Sequence, residues 1–221
     1  MSRDKRPLVI DKPVAILVEG IDWFHFLREQ ITDGPKMKPE FENVRLYDFK
    51  GVKQLGSFLE TLRKHRDFEH IQALGIMRDI EAETGNNSRR NVIATVRSVL
   101  NGYDFSAPKK PQEIDTSQSI AISYLLIPHD ADMGCLEHAI LNAVRDQDVL
   151  NCAQDFYDCI DPDKIRNDNA RAKMIVRSII ATTHKDGYTL GQSVHANLWD
   201  LEHESVRVML DFIRSLVSFL D

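Results

Sequence analysis

Four short, mainly apolar runs alternate with stretches of helical periodicity, and this alternation limits the folds open to the chain. The runs are "PVAILV" at 13–18, "VRLYDF" at 44–49, "HIQALGIMRD" at 70–79 and "SIAISYLLI" at 119–127. Apolar strands that do not alternate with polar residues are buried on both faces, as in parallel sheets. The segments between them place apolar residues at helical spacing. The first, 22–31, carries Phe24, Leu27 and Ile31. After Gly51 come Val52, Leu55, Phe58, Leu59 and Leu62. A third carries Val92, Ile93, Val96, Val99 and Leu100, with Asn87 or Ser88 as N-cap and an end near Gly102. A fourth, after Pro128, turns Leu136, Ala139, Ile140 and Ala143 inward. Strand and helix in strict alternation predict a doubly wound α/β fold with a mainly parallel central sheet.

The stretches "ITDGPKMKPEFEN" and "DFSAPKKPQEIDTSQ" are predicted loops. From about residue 150 the pattern becomes helical, over 149–159, 162–182 and 200–220. The last carries Val206, Met209, Leu210, Ile213, Leu216, Val217 and Leu220 on one stripe. We expect residues 1–12 to be a lead-in and 13–221 to be one α/β domain, its part from 150 to 221 a helical layer on the same sheet.

Composition narrows the function. With 28 basic against 34 acidic side chains, the net charge of −6 argues against coating nucleic acid by bulk charge. It leaves room for a local basic groove, or for a cation among clustered acids. Three cysteines without a CxxC pair point to a reducing, cytoplasmic setting rather than a disulfide framework. No apolar stretch approaches the roughly 20 residues of a membrane span, and "MSRDKRPLVIDKP" lacks the apolar core of a secretory signal.

The candidate chemistry lies where strands end, because open α/β sheets gather their chemistry at the carboxyl ends of the strands. Glu19 ends the first run, and Gly20 after it is expected to turn the chain so that Glu19 faces the crevice. Asp79 ends the third run with Glu81 two residues on, and Glu137 opens the helix after the fourth. An acid at a strand end is commonly a solvated loop charge; the argument for more is the order, strand–Glu-Gly–helix and then strand–Asp-x-acid. Carboxylates converging within several ångströms repel unless protonated or bridged by a cation. Mg²⁺ favours such oxygens and suits metal-assisted phosphoryl transfer. A shared site requires Glu19 within about 10 Å of Asp79, given the ~4 Å separation of paired catalytic metals.

These residues carry a family resemblance. "LVEGIDWFHFL" followed by "LGIMRDIEAE" resembles the Toprim domain, the metal-binding fold of topoisomerases, primases and overcoming-lysogenisation-defect nucleases. More closely, the chain resembles the DUF3226 group of Toprim-like proteins over about residues 14 to 215. The matching segments are Val18-Glu19-Gly20 with Asp22 and Phe24, Gly75-Ile76-Met77-Arg78-Asp79-Ile80-Glu81, Pro128 with Gly134-Cys135-Leu136-Glu137-His138, and Leu190-Gly191-Gln192. Glu81 stands where Toprim domains have Asp, and His138 where the group often has Asp.

The resemblance implies a Toprim-like (Rossmann-like) three-layer fold with extra C-terminal helices. It also implies a Mg²⁺ or Mn²⁺ site held by Glu19, Asp79, Glu81 and Glu137, with Glu19 also relaying protons. The implied activity is that of a nuclease on DNA or RNA. The alternative it leaves open is a non-catalytic subunit that binds nucleic acid, nucleotide or a protein. Because the overcoming-lysogenisation-defect nucleases carry an ATPase domain and none is visible here, an ATPase or other protein partner in trans is expected.

Lys50, Arg89 and Lys173 are candidate phosphate contacts, with Arg177 one turn beyond Lys173. Of the basic residues Lys64, Arg66, Arg89, Arg90, Lys109 and Lys110, the pair Arg89-Arg90 after the acids best fits a nucleic-acid rim, and the others fit a solvated surface. Asp22, three residues after Glu19, fits an acid supporting the metal ligands or, slightly better, a helix-N-terminal charge. His129, Asp130, Asp132 and His138 invite zinc, but lack two ligands on one helical face. No histidine partner for Cys135 is evident from spacing, which disfavours a cysteine nucleophile. A receiver-like phospho-acceptor at Asp79 would need a second acid after the first strand and a hydroxyl residue after the fourth. The chain has one acid there, and Pro128. Neither a phosphate loop nor a dinucleotide fingerprint is present.

Overall fold

The computed structural model describes residues 8–81, 89–160, 162–183 and 188–220. Its centre is a four-stranded sheet of β1 (Val14–Val18), β4 (Val44–Asp48), β5 (Ala73–Asp79) and β6 (Ala121–Ile127), all parallel in the order β4-β1-β5-β6. Every residue of β1 and β6 is buried, as the unbroken apolar runs predict. Alternate residues face opposite cores: Val14, Ile16 and Val18 one way, Ala15 and Leu17 the other.

Helices α2 (Leu55–Arg63) and α3 (Arg89–Gly102) cover one face through Leu55, Leu59, Leu62, Val92, Val96 and Leu100. The other face is covered by α1 (Ile21–Ile31), α4 (Leu136–Asn142) and α8 (Glu204–Val217). Outside α4 lie α6 (Asp168–Ala181) and then α5 (Gln147–Asp158), and a single turn, α7 (Leu190–Ser193), packs on α1. The result is a mixed α/β, three-layer, Rossmann-like arrangement. Among the described residues no helix is long and apolar enough to cross a membrane.

Local chemistry explains where the boundaries depart from those expected. The helix predicted to begin at 162 begins at Asp168, because the Asn167 side chain caps it by accepting from Ala170 N at 2.9 Å. The one predicted from 149 begins at Gln147, where Asp146 accepts from the backbone N–H of Asp148 and Val149. In the stretch read as a loop, Gly34 (φ +59) lets a small hairpin form between β2 (Thr32–Asp33) and β3 (Lys36–Met37). On α1 the buried residues are Trp23, Phe26, Leu27, Gln30 and Ile31, so Phe24 lies at the edge of the buried face. The N-cap expected at Asn87 or Ser88 lies outside the described residues.

The Leu190-Gly191-Gln192 segment has a packing rationale. Thr189 and Gln192 cap α7 reciprocally. A Cβ on Gly191 would lie 2.7 Å from the His25 Cβ and 3.0 Å from its carbonyl, so only glycine lets α7 rest on α1. Gly75 plays the same part at the sheet centre: a Cβ there would fall 2.6 Å from Leu216 Cδ1 and 2.7 Å from Ile16 Cδ1. Its absence lets α8 settle onto β1, β5 and β6. Gly75→Val should therefore overpack the core and lower stability by about 1–3 kcal/mol or more. Denaturant unfolding monitored by circular dichroism would show this as a lower midpoint; an unchanged midpoint would contradict the close packing of α8.

Candidate functional site

The strand order fixes where a ligand can enter. From β1 the chain passes through α1 to β4 on one side, then through α2 to β5 on the other side of β1. The helices that follow β1 and β5, α1 and α3, leave toward opposite faces. A crevice therefore opens between the carboxyl ends of β1 and β5, the switch point at which doubly wound proteins bind ligands. The register sets Val18 opposite Met77. Glu19 is then level with Arg78, and Asp79 lies one residue beyond.

The two acids meet there. Asp79 N–H donates to Glu19 Oε2 at 3.1 Å. Asp79 Oδ1 accepts from Trp23 Nε1 at 3.1 Å and from the first N–H of α4, Leu136 N, at 2.8 Å. One carboxylate thus ties β5 to α1 and α4. The crevice has a volume of 170 Å³, and its walls carry the carboxylates of Glu19, Asp22, Asp79, Glu81 and Glu137, with Lys173 at the rim. Glu19 and Glu137 are 8% and 6% exposed, so these charges have little water to screen them. Arg78, 4% exposed, lies beneath, its Nε 3.5 Å from Glu19 Oε2.

Burial governs the proton affinity of both acids. Desolvation raises Glu19 from 4.5 to about 7; Arg78 opposes that rise and Glu81 adds to it. Asp79 is raised well above 3.8, first by desolvation, then by the charges of Glu19 and Glu137, against the hydrogen bonds from Trp23 and Leu136. Lys173 is raised: the acids Glu137, Asp79 and Asp22 outweigh its desolvation. At neutral pH, then, the pair holds a proton or calls for a cation.

Among the described residues no three His, Cys, Asp or Glu side chains stand together as a ready-made metal cluster. The donors are of the right type for a hard cation, since they are oxygens, anionic and poorly solvated. Among the described residues, the two hydrogen bonds to the Asp79 carboxylate both fall on Oδ1, so Oδ2 is the oxygen left for a ligand. Glu81 lines the crevice with a left-handed backbone, φ 61, its N–H donating to Gly134 O at 2.7 Å. That conformation costs a side-chain-bearing residue about 1–3 kcal/mol.

The remaining sequence candidates divide. Lys173 lines the crevice. Lys50 does not: its left-handed turn (φ 63) instead brings Gly51 N–H to Glu19 O at 2.7 Å, and its own side chain points to solvent. Arg89, expected to contact phosphate, has Nη1 bonded to the carbonyls of Pro128 at 3.0 Å and Ala131 at 2.9 Å, so it fastens the loop after β6. Lys64 and Arg66 are paired with Glu60 and Asp67. His138 Nε2 lies 2.9 Å from Asp168 Oδ2 and His129 lies near Asp130, with no common zinc site among the described residues.

Two expectations are corrected. The chain does bend at Glu19-Gly20, but glycine is not what permits it: the Gly20 backbone is extended (φ −167, ψ 174), and a Cβ there would meet nothing within 4 Å. Glu19 faces the crevice because the strand register puts it there. Cys135 does have a histidine beside it, as its Sγ lies 3.3 Å from His138 Nδ1. The two are three residues apart at a helix start, where the Cys135 N–H also donates to that nitrogen. The thiol is 1% exposed, and burial with the nearby acids pushes its pKa up, so it stays a capping group rather than a nucleophile.

Trp23 and Arg78 were not singled out from the sequence. A tryptophan on the buried face of a helix needs a partner for its N–H, and an arginine inside an apolar strand needs an acid; those were the available signals.

Fold and site together define a doubly wound α/β protein with paired carboxylates at its switch point. A family model described as "Protein of unknown function (DUF3226)" matches residues 13–218. The chain belongs to that family. No curated protein and no solved structure matches it.

The raised acids make stability depend on pH. The folded protein keeps these protons to higher pH than the unfolded chain does. The resulting stabilisation is complete below about pH 4 and is lost as pH rises toward and through about 7. For Glu19 alone, a rise from 4.5 to about 7 amounts to about 3 kcal/mol. Asp79→Asn, which keeps an acceptor at Oδ1 and removes the charge, should lose less Tm between pH 5 and pH 8 than the wild type. Equal losses measured by calorimetry would show that the pair is not strained by its own charge.

Proposed function

We propose that this chain is a Toprim-like, Mg²⁺- or Mn²⁺-dependent phosphoryl-transfer protein, a nuclease that hydrolyses phosphodiesters in DNA or RNA. The observation that carries this reading is the meeting of Glu19 and Asp79 at the switch point, with Asp79 N–H 3.1 Å from Glu19 Oε2 inside a crevice walled by further acids. Glu19 and Asp79 would hold the cation, with Glu81 and Glu137 in the same crevice as further oxygen donors. When bound, the cation neutralises these acids and draws charge from a phosphate oxygen.

The chain's own groups have the following roles. Trp23 Nε1 and Leu136 N–H fix Asp79, a residue of the crevice wall, through Oδ1. Asp79 N–H fixes Glu19, and Arg78 tempers the charge on its carboxylate from below. Glu19 takes up a proton at its carboxylate from attacking water or returns one to the leaving oxygen. Lys173 faces phosphate from the rim.

A second reading keeps the fold without turnover: a subunit that binds nucleic acid, nucleotide or a protein, with an ATPase as a partner in trans. It is favoured by the absence, among the described residues, of three ligands already gathered, and by Arg78 standing beside Glu19 where a cation's charge would otherwise act. One assay separates the two. Single- and double-stranded DNA and RNA are incubated with Mg²⁺ or Mn²⁺ and either wild type or Glu19→Gln. Loss of the proton carrier should lower the cleavage rate by about 10²–10⁴. Nucleic acid retained but never cut by the wild type would favour the binding subunit, and cleavage undiminished in Glu19→Gln would refute the assigned role.

A further inference from the structure

Next to the acidic crevice lies a second, larger cleft. This cleft has a volume of 370 Å³ and shares Asp22, Glu137 and Lys173 with the crevice. Its size falls in the range of about 300–1,000 Å³ typical of small-molecule sites. Its character is different from that of its neighbour. The crevice sets five carboxylates against one lysine. In the cleft the two shared acids stand at one end, and Lys173 is joined by Arg177 four residues on, one turn along the same face of α6. Among the described residues Arg177 has no hydrogen bond or ion pair, and it is exposed. Between these cations and α7 the lining is mixed: the largely buried Val176, Ile180 and Leu190 form its apolar part, and Thr183, Tyr188 and Thr189 complete it.

Charge decides where a phosphate can rest. In the crevice it would meet excess negative charge unless a cation were bound. In the cleft it meets two cations whose charge balances the acids, and a guanidinium favours phosphate oxygens with paired N–H donors. An apolar wall with an aromatic ring beside a phosphate-sized cationic rim suits a base joined to its phosphate.

We propose that this cleft is a subsite for a phosphate-bearing nucleotide, free or at the end of a strand, with the phosphate at Lys173 and Arg177 and the base against Val176, Ile180, Leu190 and Tyr188. It deepens the phosphoryl-transfer reading and rests on it for its role, since the nucleotide held here would lie next to the bond presented to Glu19 and Asp79. Its occupation does not require the metal. Failure of the two ideas can therefore be told apart: cleavage depends on Glu19, whereas metal-free binding depends on Arg177.

The test is a binding titration of the full chain in EDTA by calorimetry, using adenosine 5′-monophosphate, with adenosine as the phosphate-free control and a short 5′-phosphorylated thymidine oligonucleotide as competitor. The monophosphate should bind saturably, and adenosine at least about tenfold more weakly. Arg177→Glu reverses an exposed charge, and Ala181→Trp fills the cleft from another exposed lining position. Both should weaken binding about tenfold or more. Arg177→Lys, which keeps the charge but not the paired donors, should bind more tightly than Arg177→Glu, and Glu19→Gln, which slows cleavage on the reading above, should retain binding. Displacement by the oligonucleotide marks the strand end as the ligand; no displacement marks a free nucleotide. The proposal is overturned if the monophosphate does not saturate, if adenosine binds as well, or if either Arg177→Glu or Ala181→Trp leaves binding unchanged.

Discussion

Two carboxylates brought together where they have little water to share are the constraint on which the rest of this structure turns. Glu19 and Asp79 sit at the ends of adjacent parallel strands, and the backbone N–H of one holds the side chain of the other. Neither ionises freely, because burial favours the neutral form of both, and the charge of Glu81 at Glu19 and those of Glu19 and Glu137 at Asp79 add to it. Arg78, itself buried, relieves part of that strain and leaves the remainder. A protein that keeps such a pair keeps a place for a proton or a cation.

The surrounding architecture holds the pair in place. Asp79 is gripped from two helices at once, through Trp23 on α1 and the first N–H of α4. Those helices are seated by the apolar face they share with α8, and α8 reaches the sheet because Gly75 presents no side chain. Gly191 lets α7 close on α1, which frames the cleft leading away from the acids. Packing far from the crevice thereby sets the geometry within it.

Much of this was legible in the sequence, for definite reasons. Unbroken apolar runs announce strands buried on both faces, and β1 and β6 are buried throughout. Acids at the ends of such runs must gather at one edge of the sheet, so Glu19, Asp79, Glu81 and Glu137 all line one crevice. What stayed hidden depends on register and on long-range partners. The bend at Gly20 needs no glycine conformation, and the strand register aims Glu19. Arg89 read as a phosphate contact, and nothing local showed that its Nη1 would bond two carbonyls from a loop some forty residues away. Arg78 and Trp23 gain their meaning only once β5 lies beside β1 and α1 folds over its end. No local pattern encodes those meetings.

The central claim is that Glu19 and Asp79 form a single site whose charge a divalent cation completes. A double-mutant cycle on Mn²⁺ binding, followed by electron paramagnetic resonance of free Mn²⁺ with wild type, Glu19→Gln, Asp79→Asn and the double variant, tests it most directly. If the two acids share one ion, each single substitution weakens binding at least about tenfold, and the double variant loses far less than the sum of the two. Losses that simply add, or Mn²⁺ affinity unmoved by either substitution, would contradict a shared site.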